Sequence, residues 1–334
     1  VFRFNANIVR PVRTLAALGL VAPLLAACGA STAGTALPAA GLSSVARDAN
    51  PAARVQPDGF NFTTLDDQAD PTFNQLLGIN NAGEIAGYFG SGATGHPNKG
   101  YTLAPPYGQN DYTNENFPGS AQTQVTALNN LGYTAGFWVD ANGNNFGFIE
   151  WGGVFTSYKD PHTGTGTVNQ ILGLNDAGTA VGFYTDGTGM NHGFSVLQGT
   201  KKFVEITPPG GTNVTASGIN QAGDITGFLT GGSGTVIGFL EKNKTFTEFA
   251  VPGATSTMPL GINKNDEMVG TYLDGSGLMH GFTVTKVLSK AKFTTRDDPN
   301  GIGTTTINGI NDKGNLVGFY VDTTGNTDGF LAKK

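Results

Sequence analysis

The sequence predicts an all-β chain made of six copies of one antiparallel unit, and three observations carry that prediction. A phrase of the form Gly-Ile-Asn-x-x-Gly-x-Ile/Val-x-Gly-Phe/Tyr recurs at 78–89, 127–138, 173–184, 218–229, 261–272 and 309–320. Its Asn stands at Asn80, Asn129, Asn175, Asn220, Asn263 and Asn311, in steps of 49, 46, 45, 43 and 48 residues, a range that marks stacked supersecondary units. Composition agrees, because 51 Gly and 22 Phe with only 13% charged residues suit turn-rich β structure.

Within each phrase, Gly-Ile-Asn ends one strand and a polar pair such as Asn81-Ala82 or Asp176-Ala177 turns the chain. Gly83 or Gly178 then takes the place where positive φ is cheap. The following strand alternates, with Ile85, Ala180, Ile225, Met268 and Leu316 on one side. A second element starts at Gly100-Tyr101, Gly147-Phe148, Gly193-Phe194, Gly238-Phe239, Gly281-Phe282 and Gly329-Phe330. A third is an aromatic strand that runs into a Pro or Gly turn, as at 62–66, 155–158, 203–206, 246–249 and 293–296, blurred in the second unit around 116–119. The sum is four strands in about 46 residues.

Four short antiparallel strands repeated six times predict a six-bladed β-propeller of four-stranded blades. A β-solenoid is the rival, although its coils are usually shorter, about 20 to 30 residues, and need no hairpin in every repeat. The ends argue for the propeller. An aromatic strand at 60–66 precedes the first phrase without a Gly-Phe strand, and the chain finishes on Gly329-Phe330-Leu331. Pairing the two completes the sixth sheet from both termini and removes an exposed edge.

The phrases, together with His192-Gly193-Phe194 and His280-Gly281-Phe282, resemble the bacterial extracellular HAF repeat family over roughly residues 60–333. The resemblance implies an exported, propeller-like surface protein and no settled activity. Departures are local: Ala127 replaces the first Gly, Asp266 the turn Gly, and Thr271 the aromatic. Asp tolerates left-handed geometry, so the fifth turn is expected to be kept.

The first residues have a different character. Arg3, Arg10 and Arg13 precede an apolar run ending in Leu25-Ala26-Ala27-Cys28, the single cysteine. Residues 1–27 read as a secretion signal, and its end resembles the lipobox of bacterial lipoproteins, which implies lipid attachment at Cys28. An ordinary cleaved signal with an incidental Cys is the alternative. Residues 28–57, rich in Ala, Ser, Gly and Pro, read as a tether, and 58–334 as the propeller. The chain from Cys28 onward carries 16 basic and 25 acidic residues, which argues against nucleic acid as a partner. One cysteine forms no intramolecular disulfide.

The six repeated Asn are expected to be structural, each capping its own hairpin, rather than a ligand-binding ring around the axis. His192 and His280 lack metal-ligand spacing, and no metal is expected. Asp140, Asp186, Asp274 and Asp322 recur two residues past the second strand's aromatic end, in turn-like contexts. Asp140, Asn142 and Asn144 alternate oxygen groups that suit a weak Ca²⁺ site at most. Asp66-Asp67 and Asp297-Asp298 occupy matching places and read as solvated turns. Trp138 and Trp151, with five Tyr nearby, suggest a sugar-stacking platform, with inter-blade packing as the alternative. The expected function is that of a monomeric, lipid-anchored module at the outer membrane or cell surface that binds envelope polysaccharide or protein. The alternative is a secreted hydrolase or lyase with acids drawn from several blades.

Overall fold

A computed structural model describes residues 59–166 and 168–334, and these contain 24 strands and one short 3₁₀ turn, Gln109–Asp111. The expected signal, tether and Cys28 lie outside the described residues. Strand β1 (Asn61–Thr64) comes first, followed by blade 1: β2 (Asn74–Ile79), β3 (Ile85–Phe89), β4 (Lys99–Leu103) and β5 (Tyr112–Asn114). Blade 2 is β6 (Gln122–Leu128), β7 (Thr134–Val139), β8 (Asn145–Trp151) and β9 (Val154–Tyr158). Blade 3 is β10 (Asn169–Leu174), β11 (Thr179–Thr185), β12 (Asn191–Leu197) and β13 (Phe203–Ile206). Blade 4 is β14 (Thr212–Ile219), β15 (Ile225–Thr230), β16 (Val236–Lys242) and β17 (Thr245–Phe249). Blade 5 is β18 (Ser256–Ile262), β19 (Met268–Leu273), β20 (Met279–Thr285) and β21 (Lys292–Thr295). Blade 6 is β22 (Thr306–Ile310), β23 (Leu316–Val321) and β24 (Thr327–Lys333), with β1 as its outer strand.

Every blade is antiparallel, and isolated parallel bridges link some neighbours: Val236 with Ser256 between blades 4 and 5, Met279 with Thr304 between blades 5 and 6, and Phe73 with Thr327 between blades 1 and 6. Blade 6 closes as the termini predict: β1 pairs with β24 from Asn61 opposite Lys333 to Thr64 opposite Phe330. Blade faces are buried against neighbours, so the rings after the second-element glycines, Tyr101, Phe148, Phe194, Phe239, Phe282 and Phe330, are all at most 1% exposed. The hairpin turns have the expected chirality. Gly83 has φ +92°, and Asp266, standing in for glycine, reaches +56°.

Each innermost strand carries a bulge next to the first residue of its phrase, for example between Leu76 and Gly78 and between Ile171 and Gly173. The bulge residues crowd the axis. A side chain on Gly173 would meet Gly218 Cα at 3.1 Å, and one on Gly309 would meet Gly78 Cα at 3.3 Å, so the inner strands approach backbone to backbone. The lumen inside them holds only about 100 Å³ and is lined mainly by apolar groups such as Leu77, Leu172, Leu260 and Phe137.

Candidate functional site

The blades share their frame and differ at their seams. On the face away from the Asn turns, the end of each second strand pairs across the sheet with the residue before the next strand's Gly-Phe/Tyr. The six pairs are Phe89 with Lys99, Trp138 with Phe146, Tyr184 with His192, Leu229 with Ile237, Tyr272 with His280 and Tyr320 with Asp328. A loop from the preceding blade reaches this position. Phe117 stacks on Trp138 at 4.3 Å, while Asp160 and Asp298 act electrostatically on Tyr184 and Tyr320.

Blade 3 builds the most elaborate version. Tyr184 and His192 face each other across β11 and β12 and stack with ring centroids 5.0 Å apart and planes 9° apart. His192 Nδ1 lies 2.7 Å from Glu205 Oε1 on β13, and Nε2 lies 3.0 Å from Asp186 Oδ2 in the turn between β11 and β12. Asp186 is itself fixed, since its Oδ1 accepts from the Thr188 hydroxyl and from the backbone N–H of Thr188 and Met190. Those bonds hold its carboxyl below the usual range. Burial disfavours charge on His192, but hydrogen bonds and charge from Asp186 and Glu205 prevail and raise its pKa.

Tyr184 of this pair, with Glu205, lines a cleft of about 490 Å³ between blades 2 and 3, a size within the ordinary range for small-molecule sites. Asp160 and His162 close it on the side of the preceding blade, with His162 Nδ1 3.0 Å from Asp160 Oδ1. Lys201 lines it from the opposite end and is pinned 4.3 Å above the Tyr158 ring, donating to Ser157 O. A second cavity of about 280 Å³ lies on the blade 4 side; it is lined by Asp186 and His192 and shares Glu205 with the first.

Blade 5 repeats the clamp. His280 Nδ1 is 2.7 Å from Asp297 Oδ2, Nε2 is 3.6 Å from Asp274 Oδ2, and the ring stacks on Tyr272 at 5.2 Å. Each of the two histidines is therefore held between two acids. Their acids arrive from different positions: Asp297 lies beyond β21, whereas Glu205 sits within β13 and reaches with a longer side chain. A signal was present in the sequence as Tyr-x-Asp-x5-His, at 184–192 and again at 272–280.

Blade 6 keeps Tyr320 and Asp322 but places Asp328 where the histidine stands. Asp66 is raised to about 7 by burial and by the charges of Asp328 and Asp322. Asp298 is raised to about 6 by burial and by Asp328 and Asp297. The Asp pairs read as solvated turns are thus corrected in part, because Asp298 is only 1% exposed and Asp66 is partly covered. Stacking of the next blade covers them, which local sequence does not encode.

The repeated amides do two jobs each. Asn80 Oδ1 accepts from the backbone N–H of Ala82 and Glu84, capping its hairpin, while Nδ2 donates to Asn129 O in the next blade. Asn129 donates to Asn175 O, Asn175 to Asn220 O, Asn220 to Asn263 O, Asn263 to Asn311 O, and Asn311 back to Asn80 O. The amides form a closed inter-blade ring, a link that sequence reasoning missed. Asp266 adds to it, binding Lys242 Nζ at 2.6 Å and Asn220 Nδ2 at 3.0 Å across the seam of blades 4 and 5.

Trp138 and Trp151 do not meet. Trp138 pairs with Phe146 at one end of β7 and β8, and Trp151 follows Glu150 at the other end, where it stacks on Tyr133 at 5.4 Å and is 55% exposed. Asp140 uses Oδ1 to accept from Asn142 N and Asn144 N, and Oδ2 to accept from Asn144 Nδ2. Among the described residues, no group of three or more His, Cys, Asp or Glu side chains is placed to hold a metal.

Comparison with known proteins settles the fold. The structure superposes on the fucose-specific lectin from Aleuria aurantia with a TM-score of 0.50 at 9% identity, covering 77% of this chain and 91% of the lectin. Another structure of that lectin is described as a six-bladed β-propeller. The fold is a propeller. Weaker likenesses, with TM-scores of 0.46 and 0.47 and 11% identity in both cases, are to AofleA from Arthrobotrys oligospora and to a subtype N11 neuraminidase-like protein of A/flat-faced bat/Peru/033/2010. They cover 84% and 81% of this chain, and 85% and 90% of those chains. No family model matches the sequence, and no curated protein does.

Proposed function

We infer that this protein is an exported carbohydrate-binding propeller of the HAF-repeat type, held at the cell envelope by a lipid on Cys28, and that the cleft between blades 2 and 3 takes the sugar. The observation that carries the reading is the Tyr184–His192 stack, with Asp186 and Glu205 already aligned along its edge. A pyranose offers an apolar C–H face and a rim of hydroxyls, so it is held by a planar ring together with charged hydrogen-bonding groups. Both are present here, and the existing hydrogen bonds restrict the side chains before a ligand arrives, which lowers the ordering cost of binding. Shared fold with a fucose-specific lectin supplies a precedent for the scaffold and names no ligand for this chain.

Titration calorimetry against neutral and acidic envelope oligosaccharides tests the site. His192→Ala and Glu205→Gln are each expected to weaken binding at least tenfold, about 1.4 kcal/mol, the scale of one charge-assisted hydrogen bond. Trp151→Ala, on the other face, is expected to leave affinity unchanged. Failure of every glycan to bind, or unchanged affinity in both the His192 and Glu205 variants, rejects the reading. Anchoring is checked separately: Cys28→Ser should move the protein from the membrane fraction to the soluble one, and retention in the membrane refutes the anchor.

A further inference from the structure

Between blades 5 and 6 the same seam position has a different chemistry. In blades 3 and 5 a histidine ring sits between two carboxylates, so this frame accommodates an N–H donor bridging two acids. In blade 6 the histidine is replaced by Asp328, and the acids Asp322 and Asp66 remain on either side. The register brings the three acids to one corner of the blade, since Asp66 Oδ1 accepts from Gly329 N at 2.9 Å, next to Asp328, and feels the charges of Asp328 and Asp322, while Asp328 feels that of Asp322. None of the ion pairs among described residues reaches Asp66, Asp322 or Asp328.

A fourth carboxylate points to a missing partner independently. Asp298 comes from the preceding blade, is 1% exposed, and uses Oδ1 to accept from Asn300 N at 2.8 Å. Its Oδ2 is buried without a hydrogen-bond partner, although its charge acts on Asp328 and on the Tyr320 hydroxyl. A buried carboxylate oxygen left unpaired is costly, and uncompensated carboxylates in contact are costlier. The strained electrostatics show in Asp66 and Asp298, both raised toward neutrality. Asp322 and Asp328 are partly exposed, so the group opens to solvent.

We propose that the seam between blades 5 and 6 is a receptor for an aliphatic ammonium group, held by Asp66, Asp322 and Asp328 with Asp298 behind them. Ammonium is favoured over a metal because its hydrogen bonds of about 2.7–2.9 Å reach acids spaced too widely for metal–oxygen bonds of about 2.0–2.6 Å, and no metal-holding group of three acids or histidines occurs among the described residues. It is also what the rest of the ring shows, since in blade 3 the space between the acids is filled by nitrogen donors at 2.7 and 3.0 Å. The inference is independent of the sugar cleft three seams earlier.

Calorimetric titration of the purified protein with putrescine, with butane-1,4-diol as the uncharged control and CaCl₂ as the metal control, tests it. Putrescine is expected to saturate one site and the diol to show no binding. Asp328→Asn is expected to weaken putrescine at least tenfold. Asp328→His rebuilds the blade 5 arrangement, with its own imidazole between the acids, and is expected to abolish binding while keeping or raising the melting temperature. Should Asp328→His fold poorly, Asp322→Asn provides a second reading, again with at least tenfold loss. Absence of putrescine binding, equal binding of the diol, Ca²⁺ saturating the site in place of putrescine, or unchanged affinity in the folded variants each overturns the proposal.

Discussion

Removal of residues 325–334 is expected to abolish the cooperative melt of the whole propeller, not just to fray one blade. The segment contains β24, which separates β23 from β1, so its loss leaves β1 without a partner and β23 with a bare edge. Phe330, Leu331 and Ala332 are buried at 0%, 3% and 0% exposure. They serve two interfaces, since Phe330 packs with Phe62 and Ile307 in blade 6 whereas Leu331 packs with Leu76 and Tyr101 in blade 1. Burial of a large apolar side chain contributes about 1.5–3 kcal/mol, and a typical domain has only about 5–15 kcal/mol in total. Losing two such residues and a strand's hydrogen bonds consumes most of that range. Circular dichroism melts of the truncated and full proteins decide it. A truncated protein that still melts cooperatively within a few degrees of the full one rejects closure as the source of stability.

Much of this architecture was legible because it is periodic. Spacing of the phrases gave the unit, and the complementary deficits around Phe62 and Phe330 gave the closure that β1 and β24 carry out. What stayed hidden depends on stacking one unit on the next. The amide of Asn80 was readable as a hairpin cap from Ala82 and Glu84, yet its bond to Asn129 O spans 49 residues and exists only because blades meet at the axis. Burial of Asp298 has the same origin. The histidine clamps were half visible: Asp186 and Asp274 recur at a fixed distance before His192 and His280, but the second acid shifts between the outer strands and obeys no spacing rule. Seams, where two repeats contribute unlike residues to one site, are the least readable part of a repeat protein and the part free to acquire function.

Gly182→Ala is expected to cost more than about 3 kcal/mol, or to prevent folding, a loss outside the usual range for one methyl group. Reasoning from conformational entropy alone gives the opposite sign, because glycine inside a strand is destabilising by roughly 0.5–1 kcal/mol relative to alanine. Contact geometry reverses it. Gln170 lies in β10 just before its bulge, and a Cβ on Gly182 would overlap the Gln170 carbonyl oxygen, with Ile171 Cα also only 3.0 Å away. Both obstacles are backbone, and β10 has no room to withdraw, since Gly173 already abuts Gly218 in blade 4. Corresponding glycines at 136, 227, 270 and 318 meet the carbonyls of Gln124, Thr215, Met258 and Thr306 in the same way, so the penalty belongs to the repeat and not to one site. Gly187→Ala, with open space around it, is the control and is expected to stay within about 0.5 kcal/mol of wild type. Urea unfolding of both variants separates the explanations: a neutral or stabilised Gly182→Ala would mean that β10 can move, and that the repeated glycine is kept for some reason other than room for its neighbour's backbone.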